Sequence, residues 1–302
     1  MKRIKPTYDF NANDIALTNF SMGETITYAQ LAIGISNIHK ILYYNNVGKG
    51  DHILLVNDGT PEWVTRLAGI VTYGAVAVIV PNNLNSYERA DIIIREGIRE
   101  EIDLSDKSGK STTHEAIDID IFKFTLNDDI IIDYTYNEFG FLSPTRTKVY
   151  EFMQLAEDIK RRYMKIRHSR MPSMLLANRE CMNAKEILAS LSIGSHITLA
   201  GTHPTSGALL RCLKKCRPHF VYLDTKTAEN MIRERVFPIM KDPDMKHYMN
   251  SSHARRTMLK QVRKRMMFAL GGCILIVSVT GGRFSPEVEQ FLQKIEFPYI
   301  FM

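Results

Sequence analysis

The amino-acid sequence predicts an α/β fold made of two doubly wound lobes, each built on a mainly parallel sheet. Segments whose apolar residues recur with the period of a helix alternate along the chain with short apolar segments typical of strands. Residues 75–80 (AVAVIV) are apolar on both faces, as expected of a strand in the middle of a parallel sheet. Helix starts are also marked, as in Thr60-Pro61-Glu62, where a hydroxyl, a proline and a carboxylate take the positions they favour.

In the first half, a helix over 27–44 begins at a capping box. Thr27 and Gln30 form it, because each side chain can accept a hydrogen bond from the other residue's backbone amide. Residues 97–120 are polar and indicate a loop or edge segment, and an irregular connection is expected from 136 to about 147. The other predicted elements are strand 52–57, helix 60–74, strand 75–80, helix 86–96 and strand 129–135.

The second half repeats the alternation, so we predict lobes at about 1–150 and 151–302. The last helix opens at Ser285-Pro286-Glu287, again a cap, a proline and an acid. The chain ends in a short apparent strand, and we expect a domain that is cut before its end. The predicted elements are a helix within 150–168, strand 196–201, helix 205–216, strand 219–223, helix 252–270 and strand 274–279.

Composition excludes several classes of protein. With 302 residues, 45% hydrophobic and 24% charged, the chain is typical of globular proteins. A net charge of +6 is mild at this length, so we expect no nucleic-acid partner. The N-terminus lacks the apolar stretch of a signal peptide, and the apolar run 266–279 is shorter than the roughly 20 residues of a spanning helix. We therefore expect no transmembrane segment and a cytoplasmic location.

Cysteines and histidines do not indicate a metal site. Cys212 and Cys216 lie four apart on a helical pattern and are interpreted as packed thiols in a reducing compartment, and the nine histidines show no ligand spacing. The segment 202–207 looks superficially like a phosphate loop, but a helix N-cap at Thr205 or Ser206 explains it better.

The basic run between 255 and 266 alternates cations with apolar residues. A solvated helix face is the favoured interpretation, and peripheral contact with acidic lipid headgroups or with nucleic acid is left open.

Residues 27–83 closely resemble the opening of AMP-binding acyl-CoA synthetases, with the long-chain fatty-acid branch as the nearest match. The segment contains TYAQL, then GKGD, then PEW, a helix ending in GAV and a strand ending in proline, in the family's order. Residues 278–301 (SVTGGRFSPEVEQ and onward) resemble the family's double-glycine loop and its helix, and 193–223 resembles the strand–helix–strand between.

The resemblance implies the family's large N-terminal domain and its reaction. A carboxylate, such as a fatty acid, would attack the α-phosphate of ATP, and the acyl-adenylate would pass to a thiol. ATP, Mg²⁺ and CoA are the cofactors that the resemblance implies, and we expect none of them to be bound productively, for the following reasons.

The phosphate loop of the family reads roughly TSGTTG-x-PKG, and here only Thr135 and Gly140 match it. Glu138 sets a carboxylate where phosphates should lie, and Lys148 arrives several residues late. At the double-glycine loop Gly281 and Gly282 remain. These four residues are interpreted as vestigial cofactor-binding positions.

Other family positions also differ. Asn178 stands for the family's acyl-gating histidine, and Asp224-Thr225 stands for Val-Pro. Arg283 either fills space meant for adenine or acyl chain or faces solvent. The family's Tyr-Gly-x-Thr-Glu segment and C-terminal lid domain would follow residue 302, so we predict no catalytic residue in this chain.

Three hypotheses follow for the function. The first is a truncated, inactive ligase-like protein. The second is a ligase subunit completed by a C-terminal partner chain. The third is a non-catalytic module that binds an acyl chain, a nucleotide or a partner.

Overall fold

The computed structural model describes residues 11–98, 102, 104, 123–137, 139–164, 172–178, 183–201, 204–235, 237–240 and 252–302. These residues form two compact units. Unit 1 comprises the described residues within 1–17, 25–170 and 183–194, and unit 2 comprises those within 18–24, 171–182 and 195–302. Both units are α/β with parallel-rich sheets, which confirms the predicted fold class.

Unit 1 contains a four-stranded sheet in the order β3-β4-β5-β6. The first three strands are parallel, whereas β6 runs antiparallel to β5. The expected irregular connection from 136 to about 147 is therefore wrong. Most side chains of β6 are exposed, so no apolar alternation marks it, and Pro144 is tolerated because β6 is an edge strand. The strands are β3 (His52–Asn57), β4 (Val76–Pro81), β5 (Asp129–Tyr136) and β6 (Leu142–Lys148).

The helices of unit 1 begin where their caps predict. The Gln30 amide donates to the Thr27 hydroxyl at 3.2 Å and the Thr27 amide donates to Gln30 Oε1 at 2.8 Å, which confirms the capping box. A second box, from Asn85 and Glu88, starts the third helix. These helices are α1 (Tyr28–Tyr44), α2 (Pro61–Tyr73), α3 (Ser86–Arg95), α4 (Val149–Met164) and α5 (Ala184–Ser192).

Helices α1 and α2 approach closely at a glycine. A Cβ built on Gly69 would lie 2.6 Å from Ile38 Cβ, so only glycine fits between the two helices. Trp63 and Ile70 of α2 are fully buried, and α2 ends at Gly74 with a φ of 110°. The apolar face read from the sequence is therefore the face that packs.

A buried carboxylate joins three elements of unit 1. The Glu96 side chain, 2% exposed, lies just beyond α3. Tyr134 Oη donates to Glu96 Oε1 at 2.6 Å, and Arg146 Nη2 donates to Glu96 Oε2 at 2.8 Å. Burial, followed by this bond to Glu96, raises the pKa of Tyr134 to about 12. The carboxylate is thus tied to β5 and β6 at once.

A second acid, Asp133, lies in β5 between the buried Ile132 and Tyr134. Burial raises its pKa from 3.8 to about 6. Asp128, the residue immediately before this strand, has a lowered pKa instead. Hydrogen bonds from Thr125 and the ammonium of Lys49, 2.9 Å away, lower its pKa to about 2.

Unit 2 is built on strands β7 to β11 of a seven-stranded sheet in the order β11-β10-β9-β7-β8-β1-β2; the strands β1 and β2 contain residues of both units. Strands β7 to β11 pair in parallel. β7 has four residues, all buried, and such a short apolar run cannot be assigned from periodicity alone. The strands are β1 (Ile15–Asn19), β2 (Glu24–Thr27), β7 (Ser173–Leu176), β8 (His196–Leu199), β9 (Phe220–Asp224), β10 (Ile276–Thr280) and β11 (Tyr299–Phe301).

The helices of unit 2 cover this sheet. The first starts at the predicted N-cap Thr205, whose hydroxyl accepts from the Ala208 amide at 3.3 Å. A cavity of about 20 Å³, lined by apolar side chains from several helices and strands, is only large enough for a water molecule. The helices are α6 (Ser206–Cys216), α7 (Thr225–Arg235), α8 (Phe237–Met240), α9 (Ser252–Ala269) and α10 (Pro286–Lys294).

Within the described ranges, no helix is both long enough and apolar enough to cross a membrane.

Replacing Tyr134 by Phe should destabilise the protein. The change leaves buried Glu96 without one of its donors, and we expect a loss of about 1–3 kcal/mol in the free energy of unfolding. Tyr136→Phe is the matched control, because Tyr136 also donates to a glutamate, Glu88 at 3.0 Å, but at an exposed position. Its effect should stay within about 0.5 kcal/mol in chemical denaturation. Equal losses in the two variants would contradict the role given to Glu96.

The raised pKa of Asp133 predicts a pH effect. The folded state holds this proton up to about pH 6, whereas the unfolded chain releases it near 3.8, so its contribution to stability falls as pH rises between these values. Asp133→Asn should therefore stabilise the protein at about pH 7.5 relative to about pH 4.5. Asp128→Asn should instead destabilise the protein to a similar extent at both pH values, because both lie above 3.8, where its lowered pKa stabilises the fold. Denaturation midpoints at both pH values test this, and an effect of Asp133→Asn that does not change with pH would refute it.

Candidate functional site

The four residues that the sequence singled out lie in two different units. Thr135 lies in the exposed end of β5 and Gly140 lies in the turn that follows, both in unit 1. Gly281 and Gly282 follow β10 in unit 2. Each pair is therefore described within its own unit.

The turn from β5 to β6 is a tight hairpin organised by Asn137. The Asn137 amide donates to the Phe141 carbonyl at 2.9 Å, and the Gly140 amide donates to the Asn137 carbonyl at 2.9 Å. Asn137 Oδ1 accepts from the amides of Phe139 and Phe141, both at 3.0 Å. Gly140 has a φ of 77°, which favours glycine. The described amides of the turn are thus already used inside the turn.

This hairpin does not fit a triphosphate. A phosphate-binding loop directs free backbone amides and hydroxyls toward the anion, whereas the most exposed large side chains of this turn are the apolar Phe139 and Phe141, 82% and 70% exposed. In the strand register, Lys148 of β6 lies opposite Asp129 of β5, at the end of the two strands away from the turn. For strands of this length, that end is roughly 20 Å from the turn. Glu138, predicted to repel phosphate, lies outside the described residues.

In unit 2 the carboxyl ends of the strands form a second candidate site. β7 lies between β8 and β9, and the chain proceeds outward on both sides of it, so the strand order reverses at β7. In open α/β sheets, ligands bind at such a switch point, beyond the carboxyl ends of the strands.

Asn178 and Asp224 meet at this switch point. Asn178 follows β7 and is 7% exposed, and its Nδ2 donates to Asp224 Oδ2 at 2.6 Å. The other carboxylate oxygen of Asp224 accepts from the Thr227 amide at 2.8 Å, in the first turn of α7. Asn178 therefore orients a carboxylate that caps a helix.

The double-glycine loop follows β10. Gly281 and Gly282 have φ values of 80° and 111°, and nothing lies within 4 Å of a Cβ built on either, so backbone conformation and not lack of space favours glycine. Thr225 Oγ1 lies 3.0 Å from the carbonyls of both Thr280 and Gly282 and donates to this pair. The loop is thereby tied to the start of α7.

Arg283 was expected either to fill space meant for adenine or acyl chain or to face solvent. It is exposed, and it lies over an aromatic ring of unit 2. Its guanidinium is 5.7 Å from the centroid of Phe301. Phe284 packs edge-on against Tyr299 on the buried side.

The loop is anchored further by Glu229 of α7. The Ser285 amide donates to Glu229, and Arg233 reaches Ser285 Oγ at 2.7 Å and Glu287 at 2.9 Å. Burial alone would raise the pKa of Glu229, but the bonds from Ser285 and the charge of Arg233 bring it below its ordinary value. Its function in the structure is to hold the loop.

A cleft of about 340 Å³ lies between the start of α6 and the side of α7 that carries Thr227, Asn230 and Glu234. This volume is within the range of small-molecule sites. Hydroxyl and amide groups from both helices line it together with one carboxylate, in the set Pro204, Thr205, Ser206, Gly207, Thr227, Asn230 and Glu234.

Among the described residues, no group of three or more His, Cys, Asp or Glu side chains is arranged to hold a metal ion. Asp224, the carboxylate at the switch point, is engaged by Asn178 and by α7.

Sequence reasoning missed the contacts that organise these sites. Asn137 and Phe141 are four residues apart, and an Asn in a turn with a following glycine is a signal for such a motif. Asn178 and Asp224 are 46 residues apart, and no local pattern marks their contact.

Comparisons with known proteins agree with this fold. Residues 8–123 match the family described as AMP-binding enzyme. No curated protein sequence matches the chain.

Among solved structures, the N-terminal subdomain of NpsA from Klebsiella oxytoca, in complex with 3-hydroxyanthranilyl-AMSN, has a TM-score of 0.63 and 16% identity, covering 96% of this chain and 68% of that chain. Unliganded O-succinylbenzoate CoA synthetase (MenE) from Bacillus subtilis has a TM-score of 0.66 and 15% identity, covering 96% and 56%. The N-terminal domain of FACL13 from Mycobacterium tuberculosis has a TM-score of 0.62 and 14% identity, covering 96% and 71%.

MenE has also been solved in complex with AMP. The chain spans 56% of the length of unliganded MenE. Its described residues have the fold of the N-terminal part of these proteins, and residues 8–123 match the model of the AMP-binding enzyme family.

Proposed function

We propose that this chain is related to fatty acid–CoA ligases and does not itself activate a carboxylate with ATP. The reaction of such ligases forms an acyl-adenylate and then a thioester. The relation to this branch is supported by residues 27–83, and the lack of activity is supported by the hairpin at Asn137.

Pyrophosphate is the leaving group of the first step of this reaction. Its negative charge develops as the acyl-adenylate forms, and enzymes stabilise it with preorganised donors and cations. Here the described amides of the turn bond to Asn137 and Phe141 instead. Freeing them would cost the turn its internal hydrogen bonds.

A second candidate function is a non-catalytic module that binds a nucleotide, an acyl chain or a partner chain. The cleft between α6 and α7 favours a small polar ligand within this class, because hydroxyl and amide groups line it. The 20 Å³ apolar cavity is too small for an acyl chain. A non-catalytic module of this kind would not use ATP, Mg²⁺ and CoA together in one reaction.

We also propose a cytoplasmic location. The described cysteines Cys212, Cys216 and Cys273 are free thiols, which fits a reducing compartment. Under the hypothesis of a ligase subunit, we propose that a separate partner chain supplies the family's C-terminal lid domain.

ATP–pyrophosphate exchange tests the main proposal. With ATP, Mg²⁺ and a series of fatty acids, we expect exchange no faster than that of the protein-free control, because the described backbone amides of the turn are already hydrogen-bonded within it. A full-length acyl-CoA synthetase is the positive control. Exchange that depends on both the protein and the fatty acid would contradict the proposal.

Thermal unfolding separates the second function from an inert protein. A ligand at a hundred times its dissociation constant stabilises the native state by about 2.7 kcal/mol. If AMP or ATP binds in the cleft, it should raise Tm, and Asn230→Ala should reduce this shift. Lys226→Ala, a change in the same helix outside the cleft lining, should not. A fatty acid that raises Tm when nucleotides do not would place the ligand elsewhere.

The Asn137 side chain should stabilise the hairpin. Asn137→Ala removes the acceptor of two amide bonds, and we expect a loss of about 1–2 kcal/mol in unfolding free energy. Ser143→Ala, on the neighbouring exposed strand, is the control and should change it by less than about 0.5 kcal/mol. Equal stability of the two variants would show that the turn does not depend on Asn137.

A further inference from the structure

The exposed side of α9 carries cations and one aromatic ring. Arg256, Lys260, Lys264 and Arg265 are exposed, and Phe268 is 79% exposed. We call these five residues the basic face. The helix contains no Asp or Glu, so no acidic side chain of α9 neutralises these cations.

The opposite side of α9 is fixed in unit 2. Val262, Met266 and Leu270 are buried, and the last two line the small apolar cavity. Arg263, at the border, is turned to Glu296 at 3.3 Å. The basic face is therefore the side that the fold leaves to solvent.

Four residues of the basic face form a row. Arg256, Lys260, Lys264 and Phe268 are each four residues apart, and such positions lie above one another on a helix. The ring is at one end of the row, three and four residues along the helix from Arg265 and Lys264.

A second helix extends the positive surface. Arg217, at the end of α6, donates from Nε to the Gly271 carbonyl at 3.1 Å, and the Gly271 amide donates to the Phe268 carbonyl. Lys214 of α6 is also exposed. The Phe268 end of the row thus continues into the basic end of α6.

We propose that the basic face binds the surface of a membrane that contains anionic lipids. The negative surface of such a membrane attracts rows of Lys and Arg, and each cation near it strengthens binding by about fivefold. Phe268 inserts at the boundary between headgroups and acyl chains, where an aromatic ring is favoured.

A membrane accounts for the arrangement better than a nucleic acid does. Nonspecific binding of single strands uses a positive groove with successive stacking rings. On α9, Phe268 is the only Phe, Tyr or Trp, and the row is a convex helix surface. This proposal does not rest on the proposed function.

Vesicle sedimentation of the full chain tests the proposal. The protein should sediment with vesicles of phosphatidylcholine and phosphatidylserine at low salt, and not with phosphatidylcholine alone. Lys260→Glu combined with Lys264→Glu should weaken binding by about 25-fold or more. Arg161→Glu combined with Arg162→Glu makes the same change of net charge on α4 and should have little effect.

A fluorescent variant reports insertion directly. The only tryptophan, Trp63, is fully buried, so its emission should not respond to vesicles. In Phe268→Trp, a blue shift on adding anionic vesicles is expected, because the new indole leaves water. Lys264→Gln, a milder change that leaves the fold intact, should weaken binding about fivefold.

Four results would overturn the proposal. They are no sedimentation with anionic vesicles at low salt, equal loss in the two charge-reversed variants, unchanged tryptophan emission when the protein is bound, and binding of a single-stranded oligonucleotide that displaces the vesicles. Circular dichroism of each variant establishes that it is folded.

Discussion

The antiparallel pairing of β5 with β6 is the constraint on which unit 1 depends. Its register places Arg146 opposite Ile132 and Tyr134 opposite Pro144, so that Tyr134 and Arg146 both reach Glu96. A buried carboxylate is costly unless it is paired and hydrogen-bonded, and here two strands supply its partners. The same register ends in the Asn137 turn. One pairing thus determines both a buried polar cluster and the shape of the loop expected to contact phosphate.

Unit 2 depends on polar contacts at the carboxyl ends of its strands. Its parallel strands end at one edge, where backbone groups and helix starts require partners. Asp224 meets both needs, since it caps α7 and accepts from Asn178, while Thr225 and Glu229 of α7 hold the double-glycine loop. The groups at this edge are occupied in supporting one another, and the cleft beside them remains open to a ligand. A fold shared with enzymes therefore does not decide the function, which depends on the groups left free at the site.

Most of the fold could be predicted because its signals are local. The box of Thr27 and Gln30, the cap at Thr205 and the apolar strand 75–80 each involve residues near one another in sequence. The prediction failed at β6, where exposed side chains and Pro144 hide a strand. The site residues predicted from the sequence, Thr135, Gly140, Gly281 and Gly282, lie at a strand end and in two loops, and no local pattern indicates what they bind.

The sequence by itself determined the fold class, the helix starts and the likeness at 27–83, because caps and apolar periodicity act over a few residues. Only the tertiary structure decided how the polar residues are used. Glu96 meets residues 38 and 50 positions away, and Asn178 meets Asp224 across 46. Such contacts follow from strand register and order, which bring distant residues together through the whole fold and leave no local pattern in the chain.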